Sequence, residues 1–494
     1  LYAENTPSGI SLGVATDQYA NSMEAAFGSI TIDVLMGNVE KPGTTLQHFN
    51  FDDVGYSPAD RLSTELAHLL PEEQLKKRLG INKHRGQLAW NICHYPDVLE
   101  AIKTGKPYKP RVWIERSGNK LAMLADASSW IDALHELDLI VHVFLYPTSF
   151  SAYADILLPA TEWLESDKYL TCLNNLMVRQ AVTHLWETMN ETLFWPKLAK
   201  RLAERGHEGC KRAFDPEITA PEPPYWDSME EINNWYLNKK GLTWDELKEK
   251  GIIEMIPYEQ WRKYERYKEI DPETGQPQGF KTKSKKIEVY SESNITLART
   301  GEPLSRFPLE PIGKDYDPLP YYVEPAETPF DEKISKEYPL VITNGRIPYY
   351  HHGTLRNVPW LREIYPVPEL WIHPEDAKKY GVSHEDWVWV ESKRGKITAK
   401  ARVTKGIAKG VVYMERFWNP ETLDTDTHGW KEMNVNVLTK MDPPYNEMIG
   451  TVTLRGFQVK VSKADGPPKG IWYKPEDFKP WLPKPVDPTK EVEV

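Results

Sequence analysis

The 494-residue sequence has only three cysteines, Cys93, Cys172 and Cys210, and none of them forms a CxxC pair. That excludes a disulfide framework and a self-contained zinc or iron–sulfur site, and leaves buried free thiols as the expected role of each. No segment reaches the ~18 apolar residues that a membrane-spanning helix needs, so no membrane span is expected. Positive charge is in short supply: 61 Lys and Arg stand against 72 Asp and Glu, for a formal net charge of -11. A general nucleic-acid binder would show a basic domain, so nucleic acid is not an expected partner. The basic run Lys281–Lys286 is short and reads as a solvated turn. GxGxxG, GxSxG, a Walker loop and HExxH are also missing, which removes a nicotinamide dinucleotide site and the common hydrolase and zincin chemistries. The first residue is Leu1, not Met, and no signal peptide or twin-arginine segment precedes it. The sequence therefore reads as a fragment or a processed product and assigns no compartment.

What is present begins with large side chains: 18 Trp, 25 Tyr and 40 Pro, a composition for long ordered loops packed by rings. The length suits roughly two to four domains. The stretch Leu137–Asp167 organises the rest. Leu139–Leu145 and Ile156–Leu158 are short apolar runs stopped by Pro147 and Pro159, the pattern of strands buried on both faces of a parallel sheet. Room remains between them for a short crossover helix around Ser149–Ala154. Arg111–Glu115 reads as a preceding strand, and Ser128–Leu137 as a helix capped by Ser128. Strand, loop, helix, strand, crossover, strand is a doubly wound α/β unit. Its carboxyl edge, where such sheets hold ligands, gathers Ser117–Lys120, Tyr146–Thr148 and Pro159–Thr161. Gly118-Asn119 there lets a ligand approach the backbone closely.

Helices are expected over Ser22–Met36 (apolar face Ala25, Ala26, Ile30, Ile32 and Leu35, capped by Gly37), Ser57–Leu70, Pro71–Leu79 and residues 96–105, 191–204, 227–239 and 243–250. Phe280–Glu292 alternates like an exposed strand, and the Pro-dense residues 301–335 read as a linker. After Tyr338 the pattern turns β-rich. PLVITNGR is a strand into a turn. Trp387–Val390, Ile397–Val403 and Gly410–Met414 are closely spaced strands with Gly turns, which suits a small barrel. A last strand, Gly456–Val461, precedes a Pro- and Lys-rich tail expected to wrap the surface.

Three groups are candidates for chemistry. Tyr349-Tyr350-His351-His352-Gly353-Thr354 reads from spacing alone as a polar loop with packed aromatics; the alternative is that Arg346, the His pair and Thr354 offer donors to an anion. Asp155, Glu162 and Glu165 read as caps and solvated residues. His184-x-x-Glu187 lacks a third ligand and reads as a helix surface.

Several stretches, in order, resemble the bis-molybdopterin-guanine-dinucleotide oxidoreductases, the dimethyl-sulfoxide-reductase family. They are LMGNVEKPGT (Leu35–Thr44, with Thr44 for the family's last Gly), YADILLPATEWLE (Tyr153–Glu165) and Asn175…Arg179-Gln180. The others are FKTKSKKIEVYS (Lys285 for a family Gly), HPEDAKKYGVSHEDWVWVESKRGKITAKARVTKGIAKGVVY and MNVNVLT (Met433–Thr439). The resemblance implies three regions: the end of an α/β domain over 1–95, an α/β dinucleotide-binding domain over 96–330, and a C-terminal double-psi β-barrel domain over 335–490. It implies two pterin dinucleotides (bis-molybdopterin guanine dinucleotide) around one molybdenum or tungsten. By position, Gly118, Asn119, Tyr146, Thr148 and Asp155 would bind one guanosine-diphosphate arm. Gly345, Arg346, Tyr350, His351, His352 and Thr354 would grip a pterin and its pyrophosphate, and Asn436 would make a late pterin contact. The family's [4Fe-4S] cysteines and metal-ligating residue lie upstream of the matching region, so no metal ligand or catalytic residue is assigned. Leu176-Met177-Val178 stands where the family carries a polar Glu-Gly segment.

The implied function is an anaerobic molybdenum or tungsten oxidoreductase acting on a small, organic substrate, with an iron–sulfur electron-transfer subunit as partner. PDVLEAIKTGKPY and MGNVEKPG look most like the branch acting on organic substrates, including aromatic hydroxyl compounds and acetylene. Two alternatives stand beside it: a non-redox hydratase or transhydroxylase on the same scaffold, and a cofactor-free structural subunit of a respiratory complex. Retained Arg346, His352 and Asn436 argue against the last.

Overall fold

The computed structural model describes residues 1–44, 71–90, 92–116, 118–172, 174–213, 226–261, 264–418, 425–472 and 477. The helix expected at Ser57–Leu70 and most of the C-terminal tail lie outside the described residues.

Helices α1 (Ser22–Leu35), α2 (Tyr95–Thr104) and α3 (Ala127–His135) lead into or cross the first sheet. That sheet is parallel, in the order β1 (Val112–Arg116), β2 (Leu139–Phe144), β3 (Ile156–Pro159). The crossover from β2 to β3 is a single 3-10 turn, Ser151–Tyr153. β2 is buried along nearly its whole length, as its unbroken apolar run requires. β3 corrects the expectation: Ile156 is 44% and Leu157 54% exposed. It pairs with β2 alone among the described residues, so it is an edge strand with an uncovered outer face. The α3 cap is also corrected. Asp126, not Ser128, precedes the helix; it adopts a left-handed backbone (φ 48) and accepts the Ser129 hydroxyl at 2.5 Å.

A second, antiparallel sheet joins β4 (Lys168–Cys172), β5 (Asn175–Arg179) and β6 (Ile252–Glu254). It packs under α4 (Met229–Asn238) and α5 (Trp244–Lys250) through Tyr169, Leu176, Ile232, Leu237, Trp244 and Leu247. Leu176 is fully buried in that cluster, which gives the apolar Leu176-Met177-Val178 a packing role. Glu191–Glu204 is helical as expected.

Two stretches depart from their patterns. Phe280–Glu292 forms turns before a helix at Glu292–Thr300; Phe280 N–H donates to the Lys285 carbonyl at 2.9 Å. Its alternation has no buried face behind it, so it carries no strand information. Residues 301–335 are not a free linker. Leu309 and Tyr316 are buried, and Glu327 forms a two-pronged ion pair with Arg394 of the barrel. α1 is rotated against expectation too: Ile30, Ile32 and Leu35 are exposed, while Ser22 and Asp33 are buried. Its polar side is the anchored one, through Ser22 Oγ to Thr451 Oγ1 (2.8 Å) and the Tyr2 hydroxyl on Asp33. The thiols are not buried: Cys93 and Cys172 are exposed and Cys210 is intermediate. His184 and Glu187 lie in irregular chain, not on a helix. Among the described residues no helix is long and apolar enough to cross a membrane.

The C-terminal strands close into a six-stranded barrel: β7 (Leu340–Gly345), β8 (Glu369–Ile372), β9 (Trp387–Glu391), β10 (Lys396–Val403), β11 (Val411–Glu415) and β12 (Phe457–Lys463). Around the barrel the order is β10, β8, β11, β7, β12, β9. The β7–β11 and β8–β10 pairs are parallel and the other four antiparallel. Strict alternation fills the interior with Leu340, Ile342, Val388, Val390, Val412 and Met414, among others. The same cluster takes in Leu99, Ile102, Leu121, Trp130, Ile140 and Phe150. Barrel and parallel sheet therefore share one core, each such side chain contributing about 1.5–3 kcal/mol by leaving water.

Candidate functional site

Two loop systems meet at the seam between sheet and barrel. On the sheet side the organiser is His142, a lone polar residue in the middle of buried β2. Its Nε2 donates to the Gly118 carbonyl at 3.0 Å, and its Nδ1 lies 3.0 Å from Ser151 Oγ. Ser151 Oγ in turn accepts the Thr148 N–H at 2.8 Å. Burial pushes the His142 pKa down to about 4, so the ring is neutral, with Nδ1 accepting from Ser151. This chain ties the turn after β1 to the turn after β2, which puts Gly118 and Thr148 at one edge as expected. Gly118 has no room for a side chain: a Cβ would lie 2.6 Å from Glu115 Oε1. That carboxylate is itself buried, raised in pKa by burial, and held by Trp113 Nε1 (3.0 Å) and Lys120 (3.3 Å). Asn119 is buried and begins the short helix Lys120–Met123. Tyr146 lines a groove of about 240 Å³ with His142, Pro147 and Leu157, and burial raises its hydroxyl pKa. The Ser149 hydroxyl is fully buried and has no partner among the described residues.

On the barrel side, β7 ends in Gly345, whose close packing is enforced by Tyr413: a Cβ there would lie 2.8 Å from the ring. Arg346 follows. Its guanidinium donates to His352 Nε2 at 2.8 Å, and its carbonyl accepts the Tyr413 hydroxyl at 2.8 Å. Burial and the neighbouring Arg346 charge lower the His352 pKa, so the neutral ring accepts from the guanidinium. His352 sits at φ 50, and Thr354 closes the loop through N–H (2.9 Å) and Oγ1 (2.6 Å) to the His351 carbonyl. Beneath lies a buried pair, Arg356 with Glu415. Arg356 also donates to the carbonyls of His352 and Arg416. Burial pushes Glu415 up to about 7, against the pull of Arg356.

The loops touch. A Cβ on Gly353 would lie 3.5 Å from Asn119 Cβ, so the His351–Thr354 loop and the Gly118-Asn119 turn are neighbours. The late motif latches them. Asn434 Nδ2 donates to the Leu121 carbonyl (2.6 Å), Asn436 Nδ2 to the Ala122 carbonyl (2.5 Å), and Thr439 Oγ1 accepts the Asp126 N–H (3.1 Å).

Three expected site residues are placed elsewhere. Asp155 precedes β3, and its carboxylate accepts the Ile140 N–H at 2.7 Å. That is the amino edge of the sheet, some six strand residues, roughly 20 Å, from Tyr146. Tyr350 turns into an aromatic cluster with Tyr365 and Trp418, and its hydroxyl donates to the Tyr365 carbonyl. Asn436 is buried, with its Nδ2 on Ala122 and its Oδ1 accepting from Thr439 at 3.2 Å. The loop is thus packed aromatics at Tyr350 and exposed donors at Arg346 and His352. Glu162 and Glu165 are caps, as read: they make a reciprocal capping box on Trp163–Glu165. The sequence reasoning missed His142, Ser151, Arg356, Glu415, Arg416 and Arg455. A histidine inside LIVHVF was the one available signal; Ser151 meets it from the β2–β3 crossover, and the others are brought together by barrel closure. Among the described residues no group of three His, Cys, Asp or Glu side chains would hold a metal ion.

Comparison with known proteins agrees with these elements. The family model described as molybdopterin oxidoreductase matches residues 5–190, and that described as molydopterin dinucleotide binding domain matches residues 340–457. The dopamine dehydroxylase of Eggerthella lenta is 28% identical over 92% of the chain and 48% of its own length. Dimethyl sulfoxide reductase DmsA of Escherichia coli (strain K12) is 29% identical over 65% of the chain and 38% of its own length. The solved structure of acetylene hydratase from Pelobacter acetylenicus superposes with a TM-score of 0.72 at 22% identity, covering 94% of the chain and 62% of that protein. The chain spans about half the length of the first curated relatives it matches.

Proposed function

The chain belongs to the molybdopterin oxidoreductases through residues 5–190 and carries their dinucleotide-binding domain over 340–457, and on that premise we propose that it cradles the pterin dinucleotides of an anaerobic molybdenum or tungsten oxidoreductase acting on a small organic substrate. One observation carries the reading: the Gly118-Asn119 turn of the sheet edge and the His351–Thr354 loop of the barrel lie against each other, and the loop carries the exposed Arg346 guanidinium, which pairs with no carboxylate among the described residues. The residues fit a dinucleotide. Arg346 presents a forked donor to a pyrophosphate. The Ser149 hydroxyl, buried and without a partner among the described residues, is a donor in want of an acceptor. Gly118 keeps the backbone open where a ligand would approach. The bound metal-pterin centre would supply two-electron chemistry. The chain's own residues bind and orient: His142 and Ser151 fix the sheet-edge turns, and Arg356 with Glu415 fixes the barrel loop from below.

The organic substrate is supported by the dopamine dehydroxylase relative. A [4Fe-4S] cluster and an iron–sulfur electron-transfer subunit complete the electron route of this proposal. A second reading, a non-redox hydratase, is supported by the acetylene hydratase of Syntrophotalea acetylenica, 24% identical over 80% of the chain. Metal and pterin analysis of the full-length protein tests the cradle: stoichiometric molybdenum or tungsten with extractable pterin is expected, and their absence would sink both readings. A reduced-dye assay separates them, since a hydratase consumes no net electrons.

A further inference from the structure

We infer that His84 and His94 form an acid-sensitive clasp, which fastens the loop at residues 446–450 to the segment at residues 83–97 and lets go when both rings carry charge. The segment leads into α2, and the loop leads toward the last barrel strand, β12. Four consecutive carbonyls of the loop are held from the segment. Glu447 accepts from His84 Nδ1 at 2.9 Å, Met448 from the Gly86 N–H at 2.9 Å, Ile449 from Gln87 Nε2 at 2.9 Å and Gly450 from His94 Nε2 at 3.0 Å. The two rings thus hold the first and the last of the four. They are 6% and 1% exposed, with centroids 4.5 Å apart. The fit has no slack: a Cβ on Gly450 would lie 2.7 Å from the His94 ring and 2.8 Å from the His84 ring. The loop in turn holds the approach to α1. Asn446 Nδ2 donates to the Ala20 carbonyl (3.1 Å) and to Glu24 (2.9 Å), and Thr451 Oγ1 donates to the Tyr19 carbonyl (2.7 Å). Opening the clasp therefore loosens α1 from the barrel as well.

A carbonyl only accepts, so His84 carries a proton on Nδ1 and His94 one on Nε2, and the closed clasp is satisfied with both rings neutral. One further proton has a place. His94 Nδ1 lies 3.1 Å from Asp97 Oδ2. Burial works against that carboxylate's charge, but the hydrogen bonds of His94 and of Lys83, at 2.8 Å, outweigh it and lower its pKa to about 2. A second proton has no place. It would fall on His84 Nε2, which is buried without a hydrogen-bond partner among the described residues, beside a ring already charged. The other groups facing the rings are already engaged. Tyr445 packs edge-on against both rings and Tyr95 lies beside His94. The Tyr316 hydroxyl donates to the Lys83 carbonyl and accepts the Arg85 N–H. The Glu447 carboxylate is taken by Lys314 at 2.7 Å, and Asp315 by Arg299 at 2.6 Å. Burial foremost, and the His94 ring with it, hold the His84 pKa below its ordinary value against the pull of the Glu447 carbonyl. With the clasp open, both rings reach water and both take protons. The closed state therefore loses stability as pH falls through the ordinary histidine range, about 6.5.

Hydrogen exchange read peptide by peptide on the full-length protein tests the clasp, with rates corrected for the intrinsic effect of pH. Between about pH 7.5 and about pH 5, residues 446–451 should lose about ten-fold or more in protection, while the barrel strands β9 and β10 keep theirs. H84Q and H94Q each retain a side-chain N–H and remove one of the two charges, so in both variants the loop should keep its protection in acid. D97N removes the one compensated place for a proton, so its loop should open at a higher pH than that of the wild type. Equal protection of residues 446–451 at the two pH values overturns the clasp. So does an acid loss shared equally by the barrel strands, or one as large in H84Q and H94Q as in the wild type. Should a glutamine variant fail to fold, the wild-type series decides alone, since the loop must open while the barrel stays closed.

Discussion

On the sheet side, Gly118 and Thr148 are held by His142 and Ser151, a run of neutral hydrogen bonds that is complete before any ligand arrives. On the barrel side, the charges of Arg455, Arg346 and Arg356 press on Arg416, and the buried carboxylate Glu415 is held by Arg356. The first wall is organised by neutral hydrogen bonds with one hydroxyl, Ser149, left over, the second by crowded charge. A neutral network fixes geometry and costs nothing in the absence of ligand. A charge-crowded rim gives up stability until an anion completes it, and so couples binding to order.

The comparison breaks most visibly at His142. His142→Ala removes a fully enclosed ring and strands the Gly118 carbonyl, so unfolding should weaken by about 3 kcal/mol, read from denaturant midpoints. Barrel-side substitutions of exposed Arg346 should not approach that loss.

Acid should separate the walls next. His142 titrates near its ordinary 6.5 when unfolded and at about 4 when folded. Between those values the unfolded chain takes up a proton that the folded chain refuses, so this wall loses on the order of 3 kcal/mol as pH falls. Glu415 is the reverse: its ordinary 4.5 rises to about 7 on folding. The folded chain takes its proton first, so this wall is favoured at low pH and loses that stability as pH rises through about 7. The wild type should therefore show a shallow pH profile from 7 to 4.5 for these two groups. His142→Gln should tilt it toward stability in acid, and Glu415→Gln should tilt it the other way. Parallel profiles for the two variants would remove the contrast.

A smaller effect comes from ionic strength. Crowded guanidiniums repel, and salt screens them. Raising salt should stabilise the cofactor-free chain through the rim by about 1 kcal/mol, and Arg416→Gln should erase most of that dependence while leaving the chain slightly more stable. The smallest effect is at Asp155. Asp155→Asn should cost under about 1 kcal/mol, the worth of one hydrogen bond at the amino edge, and leave pterin content unchanged; loss of pterin there would return Asp155 to the site.

These particulars also show what the sequence could tell. The barrel strands were legible because alternation in Trp387–Val390 and Ile397–Val403 reports a single buried face. β2 was legible because six apolar residues in a run of seven, broken only by His142, can only be enclosed. β3 has the same apolar character but three of its four residues are exposed, since composition says nothing of which neighbour is present. The α1 helix failed for the same reason, with Ile32 outside and Asp33 inside. The turns at Gly118 and Thr148 could be placed from strand order, whereas Asp155 was drawn to them by a motif and lies at the opposite edge. Arg416 and Arg455 carried no local signal at all: they become neighbours only when β11, β7 and β12 close side by side.

The latch between the late Asn434–Thr439 segment and the turn at Leu121–Asp126 has a temporal side. Asn434 and Leu121 are 313 residues apart in sequence. In a chain made from its N-terminus, the sheet-edge turn is complete long before the segment that fastens it exists. Closing so long a loop is slow relative to local helix and turn formation. The seam between sheet and barrel thus shuts after the turns it fastens, and until it does the crevice stays open to a bulky guest from the solvent side.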